Sequence, residues 1–181
     1  LDRRRFQVSR GFGEVTIRVN SNYKFTLLNA HLKSKRPVPR ASQSEMRLNE
    51  ARELRRIIEA RLRADPKANI LVAGDLNDTP NQPPIRTLLG GKAPKLVDLR
   101  PFERNGDRAP HSQSAKFIPR RVAWTSFYWK EDSYSRFDYL IASPGMNREL
   151  RRAGTYVQAM ADWGLASDHR PVVASFFAED K

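Results

Sequence analysis

Residues 69–74 form a short apolar run, Asn-Ile-Leu-Val-Ala-Gly, with polar segments on both sides. A run of this length without alternation is typical of a strand that is buried on both faces inside a sheet. A chain that contains such a strand must cover both faces of its sheet, so we expect it to fold in layers. The run stops at residues 75–80, Asp-Leu-Asn-Asp-Thr-Pro, which places polar side chains at the carboxyl end of a central strand.

Strand patterns dominate the remainder of the chain. Residues 14–20 alternate apolar and polar side chains and residues 23–32 are more apolar, which together predict a β-hairpin with its turn at Ser21 and Asn22. Residues 92–121 are rich in proline, arginine and polar side chains, which predicts an irregular surface segment. Other predicted elements are a short helix at 83–89, strands at 122–129, 136–142 and 156–160, and a buried strand at 171–177.

A long helix is predicted between the hairpin and the central strand. Ser42 and Glu45 have the spacing of a capping box at its start, and the helical pattern continues to about Ala64. The arginines of this segment, among them Arg47 and Arg55, are predicted on its polar surface. Because strands prevail with a few helices between them, the predicted fold class is α/β (α+β) with a layered sheet core. The predicted apolar face of the long helix consists of Ala51, Leu54, Ile57, Ile58 and Leu62.

The charge of the chain indicates a polyanionic partner. The formal net charge is +13, and residues 1–63 contain 16 basic and 6 acidic side chains, so the excess is regional. A surplus of this size favours nucleic acid first and an acidic membrane surface second, and a solvated basic face is the alternative. The absence of cysteine excludes disulfides, a thiol nucleophile and a cysteine-based zinc site. No apolar run approaches the roughly 18 residues of a transmembrane segment.

Residues that can perform chemistry end three of the predicted strands. His31 and His169 each lie at the end of an apolar strand, and Asp75 and Asn77 follow the central strand. A single histidine at a strand end, or an aspartate that caps a turn, is more often structural than catalytic. Three separate strands that each bring His, Asp or Asn to a sheet edge favour a chemical site.

Four motifs follow one another along the chain and resemble a known family. They are Asn29-Ala-His-Leu-Lys-Ser34, Gly74-Asp-Leu-Asn77, Ser135-Arg-Phe-Asp-Tyr139 and Ser167-Asp-His169. Each motif alone is weak, but the ordered set resembles the later motifs of the endonuclease/exonuclease/phosphatase family, the DNase-I-like metal-dependent phosphoesterases. The resemblance extends from about residue 13 to residue 177. It implies a four-layer sandwich of two packed, mostly antiparallel sheets flanked by helices.

The resemblance implies a catalytic role for five residues. Asp75 would orient or activate the nucleophilic water, and Asn77 would donate a hydrogen bond to a phosphate oxygen. Asp138 would accept the ring N–H of His169, which fixes the tautomer and stabilises an imidazolium. His31 matches the family's other phosphate-contacting histidine.

A divalent cation is also implied. Asp168 would belong to the metal region, and Mg²⁺ (or Mn²⁺) fits a site of carboxylate and amide oxygens. Asp78 could bind metal, but beside Thr79 and Pro80 we expect it to cap a turn. Asp138 has the alternative of a strand-edge ion pair with Arg136, which ranks below the catalytic interpretation.

The resemblance implies one domain over residues 1–181 that is incomplete at its N-terminus. The family begins with a strand that contains an Asn and a later segment that contains a metal-binding Glu, and neither motif is found here. A second chain or copy could supply the missing strands. The expected function is a divalent-metal-dependent phosphoester hydrolase. The charge favours a nuclease among the members of the family, and DNA is the expected substrate ahead of RNA. The alternatives are a phosphatase or phospholipid phosphodiesterase of the inositol phosphate or sphingomyelin type, or a non-catalytic nucleic-acid-binding fragment.

Overall fold

The computed structural model describes residues 8–39, 41–103 and 123–179. The described residues form ten strands and four helices. In chain order they are β1 (Gly13–Arg18), β2 (Lys24–Asn29), α1 (Gln43–Ala64), β3 (Ile70–Asp75), α2 (Pro83–Leu89), β4 (Val97–Asp98), β5 (Phe102–Glu103), β6 (Ser126–Tyr128), β7 (Ser133–Ser135), β8 (Asp138–Ala142), α3 (Pro144–Arg148), β9 (Leu150–Val157), α4 (Trp163–Ala166) and β10 (Val172–Phe176).

The strands form two main sheets and a hairpin. The larger sheet has the order β1-β2-β3-β8-β4, and the second sheet has the order β10-β9-β5. β1 pairs antiparallel with β2 as the sequence pattern predicts, whereas β2 and β3 run parallel with α1 connecting them. β8 runs antiparallel to β3, and β6 and β7 form a separate hairpin.

Two hydrophobic clusters lie on opposite faces of the larger sheet. The first packs α1 and α2 against one face, with Leu28, Val72 and Ile141 facing the helices. The second packs the other face against the second sheet, with Leu71 and Leu140 opposite apolar side chains of β9 and β10. The predicted mixed α/β class with two packed sheets is therefore confirmed, and the described residues form a helix layer, a central sheet and a second sheet.

The start of α1 is as predicted, but two of its arginines are not. The Ser42 side chain accepts the backbone N–H of Glu45, which caps the helix. Arg47 and Arg55 are only 4% and 7% exposed, so their prediction on the polar surface is wrong. Both side chains reach buried partners, because Arg47 binds a carboxylate and Arg55 donates to the carbonyl oxygen of Leu88.

Several other predictions need correction where strand pairing overrides local composition. The described part of the predicted irregular segment, residues 92–103, contains the two short strands β4 and β5, which pair with β8 and β9. The strand predicted at 156–160 is the longer β9, and the final strand β10 is half-buried rather than buried. Within the described part of the strand predicted at 122–129, residues 123–129, only β6 is a strand. Residues 104–121 of the predicted irregular segment, with His111, lie outside the described residues. None of the helices in the described ranges has the length and apolar character needed to cross a membrane.

Candidate active site

The ends of three neighbouring strands form the candidate site. Because β2 and β3 run parallel, His31, which follows β2, and Asp75, which ends β3, come to the same edge of the sheet. β8 begins at this edge with Asp138, directly opposite Asp75 in the register. Gly74 allows β2 and β3 to approach closely here, since its φ is +142° and a Cβ atom would collide with the carbonyl oxygen of Ala30.

Thr125 connects the segments that contain Asp138 and His169. Its Oγ1 accepts the backbone N–H groups of Phe137 and Asp138, both at 3.0 Å, and its carbonyl oxygen accepts the N–H of Arg170 at 2.7 Å. Nδ1 of His169 lies 2.8 Å from Oδ2 of Asp138. This bond orients the imidazole ring, and Nε2 remains the ring nitrogen that can meet another group.

The surroundings of His169 favour its charged form. Its pKa is raised above the ordinary value, chiefly by the hydrogen bond to Asp138. Burial of the ring lowers the pKa, but the negative charges of Asp138, Asp75 and Asp168 raise it further. His169 therefore holds its proton to a higher pH than an isolated histidine.

Replacing Asp138 with Asn is expected to lower the pKa of His169 towards its ordinary value of 6.5, because the hydrogen bond and the charge are lost together. In the unaltered chain the stabilisation from this pair is complete below the unfolded pKa and disappears as the pH rises through the raised folded pKa. A pH titration of the histidine ring resonances by NMR, in the presence of EDTA, measures the shift. The Asp132→Asn change at the exposed β6–β7 turn serves as the control and should leave that titration unaltered. An unchanged His169 titration in Asp138→Asn would contradict the assignment.

Asp75 is held by Asn77 at the end of β3. Its Oδ1 accepts the backbone N–H of Asn77 at 2.8 Å, and its Oδ2 accepts the side-chain amide of Asn77 at 3.1 Å. The same amide nitrogen donates to the carbonyl oxygen of Leu32 at 3.0 Å. Nε2 of His31 lies 3.4 Å from Oδ2 of Asp75. Both N–H groups of the Asn77 amide therefore have partners within the chain, and one of those partners is Asp75.

The pKa of Asp75 is raised above its ordinary value. Burial is the main cause, and the neighbouring charge of Asp138 adds to it. The backbone N–H of Asn77 and the histidines His169 and His31 lower the pKa and offset part of this effect. A carboxylate with a raised pKa is a stronger base than one in water, which suits it to accept a proton from a nucleophile.

Potential metal ligands converge at the same place. Asp75, Asp138 and His169 each offer a ligand atom within 4.8 Å of the other two, which is the one such group in the described ranges. Two carboxylates with mutually unfavourable charge fit a hard divalent cation, since such ions prefer oxygen ligands. Asp168 lies outside this group with an exposed side chain, although it is adjacent to His169.

The alternatives for Asp138 and Asp78 have clear outcomes. Arg136 forms a bidentate ion pair with Asp98, at 2.6 and 3.0 Å, so it does not pair with Asp138. Asp78 accepts the N–H of Thr79, as expected for a turn cap, and it also forms an ion pair with Arg47 at 3.0 Å.

Three buried residues around the site were not predicted: Arg47, Glu50 and Thr125. Glu50 accepts the N–H of Lys33 at 2.6 Å, and Arg47 donates to the carbonyl oxygen of Lys33 at 2.9 Å. Through Asp78, Arg47 also holds the segment that follows β3. Helical spacing could have predicted the burial of Arg47 and Glu50, because both lie on the face of α1 that contains the buried apolar residues.

Comparison with known proteins identifies a family. A model of the endonuclease/exonuclease/phosphatase family matches residues 3–169. No curated protein matches the chain.

Solved structures resemble the chain in fold. The structure of truncated TDP2 from Caenorhabditis elegans has a TM-score of 0.56 and 18% identity, and the match covers 92% of this chain and 60% of that one. An AP endonuclease from Archaeoglobus fulgidus has a TM-score of 0.56 and 17% identity, over 84% of this chain and 61% of that one. Mannosyl-6-phosphatase Bt3783 from Bacteroides thetaiotaomicron has a TM-score of 0.52 and 16% identity, over 87% and 52%. The chain thus spans between about half and three fifths of the structures that it resembles, and at these identities the likeness establishes the fold alone.

Proposed function

The chain belongs to the endonuclease/exonuclease/phosphatase family, whose members hydrolyse phosphoesters, and from that premise we propose that it acts in divalent-metal-dependent cleavage of nucleic-acid phosphodiester bonds. The family includes nucleases, phosphatases and phosphodiesterases, so membership defines the bond class and leaves the substrate open. One observation supports this function above the others. The Asp138–His169 hydrogen bond of 2.8 Å lies beside Asp75, at an edge where a buried carboxylate, a group of potential metal ligands and an oriented imidazole come together.

Asp75 is proposed as the group that orients and activates the attacking water. Its raised pKa increases its basicity, and Asn77 holds both of its oxygens in place. Asn77 is proposed to position Asp75, and to donate to a phosphate oxygen when the amide exchanges its bond to that carboxylate. General-base assistance of this kind contributes roughly 10² to 10⁴ in rate.

His169 is proposed to stabilise negative charge on the phosphate. Asp138 accepts the Nδ1 proton and keeps the ring charged, so that Nε2–H can donate to a non-bridging oxygen. His31 is 47% exposed at the side chain and close to Asp75, a position from which it can contact the same phosphate.

Mg²⁺ or Mn²⁺ is the proposed cofactor, with Asp168 as its proposed ligand at the edge where Asp75, Asp138 and His169 converge. Such a cation supplies Lewis-acid stabilisation of charge on phosphate oxygens. The proposal is supported by the donor set, in which carboxylates predominate.

Nucleic acid is the proposed substrate class, with DNA ahead of RNA. The net charge of +13 supports a polyanion with many phosphates over a small phosphate ester. α1 contributes little free positive charge to this argument, because five of its six basic side chains form ion pairs with carboxylates. The remaining one, Arg52, donates to the side chain of Asn49.

A plasmid-nicking assay with and without EDTA tests the proposed function. We expect Mg²⁺ to convert supercoiled plasmid to the nicked form and EDTA to stop the conversion, because the cation neutralises the phosphate that is attacked. Release of phosphate from inositol phosphates, measured in parallel, is expected to be absent. Metal-dependent phosphate release without nicking would replace the nuclease by a phosphatase. Tight DNA binding with neither reaction would favour a non-catalytic binding fragment.

A further polypeptide segment is the second proposed partner. Glu14 pairs with Arg61 of α1, so its neighbour Val15 points to the opposite face of the sheet, where it lies beside Leu27 and is 55% exposed. We propose that a segment corresponding to the part of the Caenorhabditis elegans structure that this chain does not match covers this face.

Light scattering should then find a monomer that binds a hydrophobic dye, with weaker binding in Val15→Lys. A dimer that Val15→Lys disperses would instead identify a second copy as the cover.

A further inference from the structure

The segment after β2 contains three cationic side chains, and the structure separates their roles. Nζ of Lys33 donates to the carbonyl oxygens of Ser34 and Arg36, both at 3.0 Å, and to Oγ of Ser34 at 3.2 Å. The ammonium group of Lys33 is therefore used within its own loop. Lys35 and Arg36 are both solvent-exposed.

Lys35 lies on a backbone that α1 holds firmly. Glu50 binds the N–H of Lys33, and Arg47 binds its carbonyl oxygen. Both of these α1 side chains are 4% exposed, so the bonds are shielded from water. The backbone two residues before Lys35 is therefore anchored, so binding a ligand at Lys35 has to order its side chain rather than this part of the loop.

The ammonium group of Lys35 lies over the side chain of a residue next to Asp138 in the sequence. Its Nζ lies 4.7 Å from the ring centroid of Phe137, the residue that precedes Asp138. Throughout the described ranges no carboxylate forms an ion pair with it, in contrast to five of the six arginines of α1. Among the described residues, Lys35 is thus a positive charge without a carboxylate partner, and it lies against the residue that precedes Asp138.

Lys35 also lines a groove with a volume of about 640 Å³. Its walls include Ser44, Thr79 and Gln82, whose polar side chains can meet a sugar–phosphate backbone. The groove contains two carboxylates as well, Asp78, which Arg47 neutralises, and Glu45, so Lys35 is the exposed cation in its lining. A single small phosphate ester at the catalytic edge would not need this groove, whereas a strand with successive phosphates would.

We propose that Lys35 binds a phosphate that flanks the one being cleaved, and so selects an extended nucleic-acid strand over a small phosphodiester. This inference rests on the proposed function and adds a subsite to it. Lysine acts on phosphate as a compact point charge, so the contact supplies affinity and register without base preference.

The test compares Lys35→Ala with Lys24→Ala in the complete chain. Lys24 is the matched control, because it is an exposed lysine at the start of β2, the end of the strand that is remote from His31. For Lys35→Ala we expect kcat/KM on duplex DNA to fall about tenfold, mainly through KM, as suits one lost charge-assisted contact. Cleavage of bis(4-nitrophenyl) phosphate, which contains a single phosphate, should remain unchanged in both variants.

A binding measurement separates this inference from the proposed function. Fluorescence anisotropy with a duplex oligonucleotide in EDTA gives the dependence of log K on log salt. Its slope should become less steep by about 0.9 in Lys35→Ala and remain unaltered in Lys24→Ala. An unchanged slope, or an equal loss of activity on both substrates, overturns the role of Lys35. Failure of the unaltered chain to cleave either substrate, with the slope difference preserved, would refute the nuclease assignment and leave the phosphate contact standing.

Discussion

Asp75→Asn is expected to cleave phosphodiesters about a thousandfold more slowly than the unaltered chain, as suits the loss of a general base. The amide has the shape of the carboxylate, so its oxygen can still accept the backbone N–H of Asn77, but it cannot take a proton from water. Initial rates of plasmid nicking under saturating Mg²⁺ measure the loss. A rate within a few-fold of the unaltered chain would remove Asp75 from the mechanism.

The stability of the same variant provides the internal control. Burial raises the pKa of Asp75, so its ionised form opposes folding near neutral pH, and stability rises as the pH falls through the raised value. Asp75→Asn removes this charge but turns one acceptor of the Asn77 amide into a donor, so we expect it to unfold close to the temperature of the unaltered chain, as followed by circular dichroism. A large loss of activity without a loss of stability separates a catalytic role from a structural one. Asp132→Asn, in the exposed β6–β7 turn, should change neither property.

Local periodicity was sufficient to predict the elements that position Asp75. The unbroken apolar run became β3, the alternating segment before it became the β1–β2 hairpin, and Ser42 capped α1. These patterns report which face of a segment avoids water, and that property depends on neighbours in the sequence. The order of the four motifs indicated the family, and the family model that matches residues 3–169 confirms it.

Pairing between distant segments could not be predicted in the same way. β4 and β5 have two residues each and lie in a polar stretch, so only their bonds to β8 and β9 define them as strands. The family resemblance implied that His169 meets Asp138, but no spacing in the sequence encodes how the two segments come together, which Thr125 does by binding both of them. The burial of Arg47 is a similar case, because its partner Asp78 is 31 residues away.

Arg47→Ala is expected to lower the free energy of unfolding more than Asp75→Asn or Arg56→Ala does. The change leaves the Asp78 carboxylate, which is 6% exposed, without its cation, and removing one partner of a buried ion pair costs about 3 to 5 kcal/mol. It also releases the carbonyl oxygen of Lys33, so the segments that follow β2 and β3 lose a common anchor. Urea unfolding followed by circular dichroism measures the free energy of unfolding, and nicking rates at a temperature where the variant is folded measure the site.

Two further variants test whether the loss of stability in Arg47→Ala comes from the buried ion pair with Asp78. Arg56→Ala removes an arginine of the same helix whose exposed pair with Glu53 is open to solvent, and it should leave the free energy of unfolding nearly unchanged. Combining Arg47→Met with Asp78→Asn removes both charges and retains much of the side-chain volume, so it should recover most of the stability. The anchoring of Lys33 should not recover, because methionine cannot donate to its carbonyl oxygen. A double variant as stable as the unaltered chain but still slow in nicking would show that Arg47 positions the site as well as stabilising the fold. Full activity in that variant would reduce Arg47 to a structural residue.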